Sequence, residues 1–260
     1  MSALQPIYNL PIQYKQGGSI TVASGTTLSI SSCLVRANAD ELDINIGDYF
    51  GDQDSTTLNA ALNGLNGLDT GSLAASTVYA VYAIADQAGY NQPGFLLSTS
   101  LTAPVMPNGI YGSNYNSFVR IGWAVTGGAS TFLTLKQSGQ GSVVEYSYDL
   151  PVQVLNAGAS AVQAAVDLSA AVPAVEGMQV KLGCSLNPAA ASRTAKICYS
   201  GGTIASSQNV MTGQVAAVLL TQVLELPVAL ISGDPKVDYI MSNADSNLTM
   251  YVNGFTDLLL

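Results

Sequence analysis

The most informative feature of this 260-residue sequence is that it contains no histidine. Histidine is the commonest general base near neutral pH and the usual ligand of zinc and copper. Its absence excludes Ser-His-Asp and Cys-His catalytic sites. Three cysteines are too few for a four-cysteine metal site, and no glycine-rich phosphate-binding motif is present. We therefore expect a protein that is not an enzyme and that uses no cofactor or metal.

Charged residues are also scarce. Asp, Glu, Lys and Arg make up 10% of the sequence, against about 25% in a typical soluble protein. The eight basic residues are scattered and the formal net charge is −9, so we expect no nucleic-acid partner and no anionic membrane surface as a partner. Two interpretations stay open: a surface made of small polar residues, or a surface that is buried against other subunits.

No stretch has the length and polarity of a transmembrane helix or of a secretory signal. The most apolar run, residues 215–231, is interrupted by Gln222, Glu225 and Pro227. The N-terminus has neither a basic start nor an apolar core. We expect a protein that is made in a cytoplasm and has no membrane partner.

Short apolar runs separated by Gly, Asn, Asp, Ser and Pro indicate an all-β protein. Residues 41–46 alternate strictly, and residues 78–85 are apolar on both faces, which is typical of a central strand. Helical spacing is limited to residues 55–65 and, more weakly, to the alanine-rich residues 157–171. Further strands are predicted at residues 19–22, 27–31, 118–125, 131–135, 143–148, 179–184, 195–199, 215–226, 237–241 and 248–252, the last two as a hairpin.

The sequence predicts two β-sandwich or jelly-roll-like domains in tandem. Strands spaced by about 8–12 residues favour these architectures, and the small residues at 138–142 form the best candidate linker. We expect an extended N-terminal arm over residues 1–18, a first sandwich over residues 19–138 and a second over residues 143–260.

The cysteines are expected to be free thiols. Cys184 and Cys198 could lie on neighbouring strands, but regular strand parity gives Cys184 the face of Val180 and Leu182. The same parity gives Cys198 the face of Lys196, which points outward. Side chains that point to opposite sides of a sheet cannot form a disulfide without backbone movement. Cys33 is expected to be a free thiol as well.

An aspartate-rich loop is the candidate cation site. Asp48, Asp52 and Asp54 lie within nine residues, and oxygen-rich loops bind Ca²⁺. The spacing lacks the closing glutamate of an EF-hand, so we favour a solvated turn in which Asp54 or Ser55 caps a short helix. Nothing in the sequence pairs two carboxylates in a cleft, as a glycosidase would require.

Tyrosines supply candidate contact positions. The sequence has 13 tyrosines and one tryptophan, and Tyr79 and Tyr82 lie in the central strand, where we expect them to be core residues. Tyr111 and Tyr115, within the loop at residues 108–117, are expected to be exposed and are the candidate binding loop.

Part of the sequence resembles a module of tailed-bacteriophage structural and fibre proteins. The resemblance is carried by GLDTG at residues 67–71, a tyrosine-rich strand at 76–86, LLSTSLTAPVMPNG at 96–109 and RIGW at 120–123. It covers about residues 19–136 and implies a non-enzymatic virion protein that is made in the bacterial host. Residues 111–117 are an insertion relative to the module, so no loop function is transferred.

From this resemblance we expect a capsid decoration or cement protein, or a short head fibre, on the outside of the particle. It would form a homotrimer and bind the major capsid protein or other virion proteins. The alternative is a tail-fibre or tail-tip protein that recognises host surface glycan. Candidate partner contacts in the N-terminal arm are Ile7, Leu10, Ile12 and Tyr14.

Overall fold

A computed structural model describes residues 15–37, 43–47, 55–109, 114–139, 143–202, 204 and 209–258. These residues form β-strands and no α-helix, which confirms the all-β prediction. The chain divides into two compact units, Met1–Val144 with Leu259–Leu260, and Glu145–Leu258. The division lies just beyond the small-residue segment at 138–142.

The described residues of the first unit form three sheets, with the strand orders β1-β4-β5, β2-β3-β6 and β10-β8-β9-β7. All pairs in these sheets are antiparallel except β7 with β9, which is parallel. The strands are β1 (Lys15–Gly17), β2 (Ile20–Val22), β3 (Thr27–Ser31), β4 (Cys33–Arg36), β5 (Asp43–Ile46), β6 (Ser55–Asn59), β7 (Gly67–Leu68), β8 (Val78–Ala85), β9 (Gly94–Ser98), β10 (Ser117–Val125) and β11 (Leu135–Ser138).

Strand β8 is the centre of the first unit. It pairs with β9 on one side and β10 on the other, and every residue from Tyr79 to Ala85 is buried. Because both faces are covered, the strand reads in the sequence as a continuous apolar run. Burial of Tyr79 and Tyr82 confirms their prediction as core residues.

The N-terminal arm expected over residues 1–18 is only partly described. Residues 15–17 are not a separate arm, because β1 pairs with β4 inside the first unit. Lys15 also donates its ammonium to the carbonyl of Ile121, at the register shift where β10 bulges against β8. A bulge leaves backbone groups outside the ladder, and Lys15 supplies a partner for one of them.

The second unit contains two sheets. One has the consecutive strands β12-β20-β14-β17, and the other has the order β13-β19-β15-β16 with β18 also paired to β19. Alternate residues of both sheets are buried, for example Val180, Leu182 and Ile197, as in two sheets packed face to face. The strands are β12 (Val143–Gly158), β13 (Ala164–Asp167), β14 (Gln179–Asn187), β15 (Arg193–Tyr199), β16 (Asn209–Gly213), β17 (Leu220–Pro227), β18 (Ala229–Ile231), β19 (Asp234–Met241) and β20 (Asn247–Leu258).

Several sequence-based expectations about local structure are wrong. Residues 55–59 form β6 rather than a helix, because Thr56 and Thr57 are β-branched and the segment pairs with β3. The alanine-rich residues 157–171 contain the end of β12, all of β13 and a turn at Leu168–Val172.

The last two strands exist as predicted but do not form a hairpin. Strands β19 and β20 belong to different sheets, so the chain crosses from one sheet to the other between them. Arg193 holds this crossing: its guanidinium donates to Asn243 Oδ1 at 2.8 Å and to Asp245 Oδ2 at 2.6 Å. The polar turn between β19 and β20 therefore bonds to β15.

The three cysteines are free, as predicted, and all are buried. Burial raises the pKa of Cys33 and of Cys184 to about 12. Cys198 lies on the face of Lys196, as strand parity predicts, but it is only 7% exposed because that face is covered at this position. Cys198 lies opposite Asp238, whose carboxylate accepts from Ser200 Oγ at 2.7 Å and from Gln163 Nε2 at 2.5 Å, and these groups cover that side of the sheet.

Gly254 should be irreplaceable for a steric reason. A Cβ built there would lie 2.1 Å from the carbonyl oxygen of Tyr146, next to the bulge of β20 against β14. We expect Gly254→Ala to lower the free energy of unfolding by about 1–3 kcal/mol, as overpacking does. Gly128→Ala is the matched control, because a Cβ there meets nothing within 4 Å. Urea unfolding measures both, and equal stability of the two variants would contradict the expectation.

Candidate functional site

Two of the four sequence segments named above, residues 67–71 and 96–109, meet at the carboxylate of Asp69. Its Oδ2 accepts from Ser98 Oγ at 2.5 Å and from the Val105 amide at 3.0 Å. Its Oδ1 accepts from the Thr70 amide at 2.7 Å. One carboxylate thereby joins the turn after β7, the end of β9 and the segment that follows β9.

Tyr82 extends this arrangement from the central strand. Its hydroxyl donates to the Ser100 carbonyl at 3.0 Å, and Phe118 contacts its ring edge-to-face at 5.8 Å between centroids. Burial raises the pKa of Tyr82 to about 12, with Arg120 lowering it and Asp69 raising it. The phenol is therefore a neutral donor at physiological pH.

Arg120, the first residue of the RIGW segment, lies next to this arrangement. It lies opposite Tyr82 in the β8–β10 ladder, and its guanidinium carbon is 4.4 Å from the ring centroid of Trp123. This distance is that of a cation–π contact. We call Asp69, Tyr82, Ser98, Ser100 and Arg120 the signature cluster.

The signature cluster orders a loop. The carboxylate of Asp69 accepts bonds from a hydroxyl and from two backbone amides, and the Tyr82 hydroxyl is bonded to a backbone carbonyl. Such bonds hold the irregular residues 99–109 against β9, where no strand ladder reaches them. The signature cluster therefore fixes the position of residues 99–109.

A second carboxylate orders the loop between β8 and β9. Asp86 is buried and accepts from the amides of Ala88, Tyr90 and Asn91, and from Asn91 Nδ2 at 2.8 Å. The loop presents Tyr90, whose exposed fraction is 67%. Sequence reasoning missed Tyr90, although it lies in the polar sequence Asp86–Gln92 directly after an apolar strand.

The expected exposure of Tyr115 is wrong. This tyrosine is 6% exposed, and its hydroxyl donates to the Gln92 carbonyl at 2.8 Å. Burial raises the pKa of Tyr115, and the neighbouring Asp86 raises it further. Tyr115 stabilises the β8–β9 loop, because its hydroxyl is bonded to the backbone of that loop.

Several predicted positions lie outside the described residues. These are Tyr111, the arm residues Ile7, Leu10, Ile12 and Tyr14, and the aspartates Asp48, Asp52 and Asp54. Within the part of the chain that the structure describes, no cluster of three or more Cys, Asp or Glu side chains could hold a metal ion. The same residues contain no helix that is long and apolar enough to cross a membrane.

A cleft of 370 Å³ in the first unit is lined by Lys15, Gly17, Ser19, Gln137, Ser138, Gly139 and Val144. Two of its polar side chains, Lys15 and Gln137, have protein partners. Lys15 donates to the Ile121 carbonyl, and Gln137 Oε1 accepts from the Ile20 amide at 3.1 Å. These two side chains are therefore already bonded to the backbone of the first unit.

The second unit carries exposed apolar residues in a segment that the sequence predicted to be a strand, without indicating their exposure. These residues, which we call the β17 edge surface, are Val215, Val218, Leu219 and Val223, each 57–60% exposed. Residues 197–224 contain no Asp, Glu, Lys or Arg. This uncharged run is the signal that could have identified the surface.

Strand β17 starts later than the expected residue 215, because Ala217 adopts a left-handed conformation with φ 58°.

The carboxylate of Asp69 should be coupled energetically to Ser98. Removing Asp69 leaves the buried Ser98 hydroxyl without its acceptor, and removing Ser98 takes a donor from the Asp69 carboxylate. Either loss costs about 1–3 kcal/mol. We expect Asp69→Ala and Ser98→Ala to lower the free energy of unfolding, and the double variant to lose less than their sum by at least about 0.5 kcal/mol. A double-mutant cycle by urea unfolding measures this. Simple additivity would show that the two residues act independently.

Comparisons with known proteins assign no family. No protein-family model matches the chain, and no curated protein matches it. Among solved structures, a crystal structure of a Bacillus thuringiensis Cry1Da tryptic core variant is similar at 8% sequence identity and a TM-score of 0.22. The alignment covers 97% of this chain and 53% of that one. A likeness at this level carries no argument about function.

Proposed function

We propose that the chain is a non-enzymatic structural protein on the outside of a tailed-phage particle. In this proposal it is a capsid decoration or head-fibre protein that forms a homotrimer and binds the shell through subunit contacts. The observation that carries the proposal is the signature cluster. Residues that resemble the phage module, although distant in sequence, meet through Asp69 and Tyr82 to fix one loop arrangement.

The use of the other carboxylates supports a structural role. Asp43 is buried and forms a two-bond ion pair with Arg36, at 3.0 and 3.4 Å. Asp86 and Asp238 accept bonds from loop amides and from neighbouring polar side chains. These carboxylates stabilise loops and strands. Such a use of charged groups fits a structural role.

The exposed apolar residues support assembly. A surface with little charge and with protruding aliphatic side chains such as Leu150, 81% exposed, and Val162, 71% exposed, is costly in a free monomer. Contact with other subunits removes this apolar surface from water, at about 25 cal/mol per Å².

Removal of residues 1–14 should abolish binding to the particle if the N-terminal segment carries the partner contact. The cut preserves β1, which starts at Lys15 and belongs to the first unit. We expect the truncated protein to keep its unfolding midpoint and to lose occupancy on capsids that lack the protein, as counted by cryo-electron microscopy. Wild-type occupancy of the truncated protein would contradict the arm contact.

A receptor-binding role is the second candidate, and Tyr90 is the observation that favours it. An exposed tyrosine on a loop fixed by Asp86 is a rigid aromatic contact of the kind that stacks on sugars. Under this alternative the protein is a tail-fibre or tail-tip protein that binds host surface glycan.

Tyr90→Ala should then reduce binding to host cells or to a glycan array at least tenfold, without a change in stability. Tyr199→Ala, which removes another exposed tyrosine in the second unit, is the matched control. If purified wild-type protein binds no cells and no glycans, the receptor-binding alternative is excluded and the decoration proposal stands alone.

A further inference from the structure

Strand β17 lies at the end of its sheet. Strand β14 pairs with it over eight consecutive residues, from Leu220 to Pro227. Among the described residues, no strand pairs with its other side. Thr221, Gln222 and Val223 are exposed in succession, so both faces of the strand reach solvent there. The strand is about 27 Å long at 3.4 Å per residue, and its open side carries a row of backbone donors and acceptors.

This edge lacks the usual protection against pairing. Natural edge strands are blunted by lysine, by proline, by bulges or by inward-pointing charges. From Leu220 to Leu224 there is no charge, no proline and no glycine, and β17 pairs with β14 without a register shift. Glu225 and Pro227 are confined to its C-terminal end. The adjoining Val215, Val218 and Leu219 are also exposed.

We propose that β17 pairs antiparallel with β17 of a second copy of this chain, about a twofold axis at Val223. The pairing continues the sheet of the second unit through both copies, as in β-strand addition. The contact is isologous, so each copy presents the same strand. It does not depend on the proposed virion role.

Charge selects this register. With the axis at Val223, each Glu225 lies opposite Thr221 of the second copy, whose hydroxyl can donate to the carboxylate. The two Glu225 residues are then four positions apart, about 14 Å, which is more than a Debye length of about 10 Å at 0.1 M salt. Lys181, 3.5 Å from Glu225 within each copy, offsets the remaining negative charge.

The neighbouring registers are worse. An axis one residue earlier places Glu225 opposite Leu219, and an axis one residue later places it opposite Val223. Either register sets the carboxylate against an aliphatic side chain of the second copy, which offers no donor in addition to Lys181 of its own copy, and burial there carries a desolvation cost. The Val223 register instead places Val223 against itself on the exposed face, where β-branched cross-strand pairs are favourable.

The test is cross-linking of Val223→Cys. Residues directly opposite in an antiparallel pair have Cα atoms about 4.5–5.5 Å apart, which suits a disulfide. We expect mild oxidation to convert this variant to a covalent dimer that runs at twice the mass under non-reducing conditions. The native cysteines are buried and their pKa values are raised, so they should not cross-link.

Glu225→Cys is the matched control on the same strand. Its two thiols would be about 14 Å apart in this register, beyond the reach of a disulfide, so we expect no dimer. If Val223→Cys fails to cross-link, or if Glu225→Cys cross-links equally well, the proposed register is wrong.

The association itself is tested with Val223→Lys. Two ammonium groups would meet at the axis, and the dissociation constant of the pair should rise at least tenfold in sedimentation equilibrium. Val162→Lys, at another exposed valine of the same unit, should leave it unchanged. Circular dichroism and the unfolding midpoint verify that both variants fold.

The outcome is separable from that of the virion proposal. A threefold assembly uses a heterologous contact, whereas the β17 pairing is isologous. If the protein has the mass of a trimer and Val223→Lys does not change that mass, the β17 pairing is wrong and the trimer is not affected. Conversely, loss of capsid occupancy on removal of residues 1–14 says nothing about the Val223 cross-link.

Discussion

Burial of β8 on both faces is the constraint on which the first unit depends. A strand in that position can have no charged side chain, and its two tyrosines must direct their hydroxyls to partners at the rim. The Tyr79 hydroxyl oxygen accepts from the Ala74 amide at 2.7 Å, and the Tyr82 hydroxyl donates to the Ser100 carbonyl. The loops on either side are therefore fixed by the same side chains that fill the core.

Several of the few carboxylates bond to the backbone of irregular segments. Where strands end, unpaired backbone amides need acceptors, and Asp69 and Asp86 supply them for loops that no ladder reaches. Where strands belong to different sheets, Arg193 bridges β15 to the crossing turn. Several of the few ionic groups in this sequence thus stabilise irregular backbone segments. Much of the surface stays neutral.

The sequence predicted the all-β class, the central strand and the free thiols, because these follow from local periodicity and parity. It failed where pairing is decided at long range. Strands β19 and β20 are consecutive and separated by a turn sequence, yet they join different sheets, which no local pattern encodes. Tyr115 is read as exposed because its neighbours are polar, but its hydroxyl is bonded to a loop 23 residues away. The β17 edge surface was visible as an uncharged run, but only the sheet order shows that it is an edge.

The buried thiols have a consequence for proton binding. The side chains that ordinarily take up or release protons between about pH 6 and 9 are histidine and cysteine. The first is absent from the sequence, and burial moves the titration of Cys33 and Cys184 to about 12 and that of Cys198 upward. Both ordinary side-chain sources of buffering at neutrality are thereby removed, so the protein would not take up or release protons through them when the pH of the medium changes.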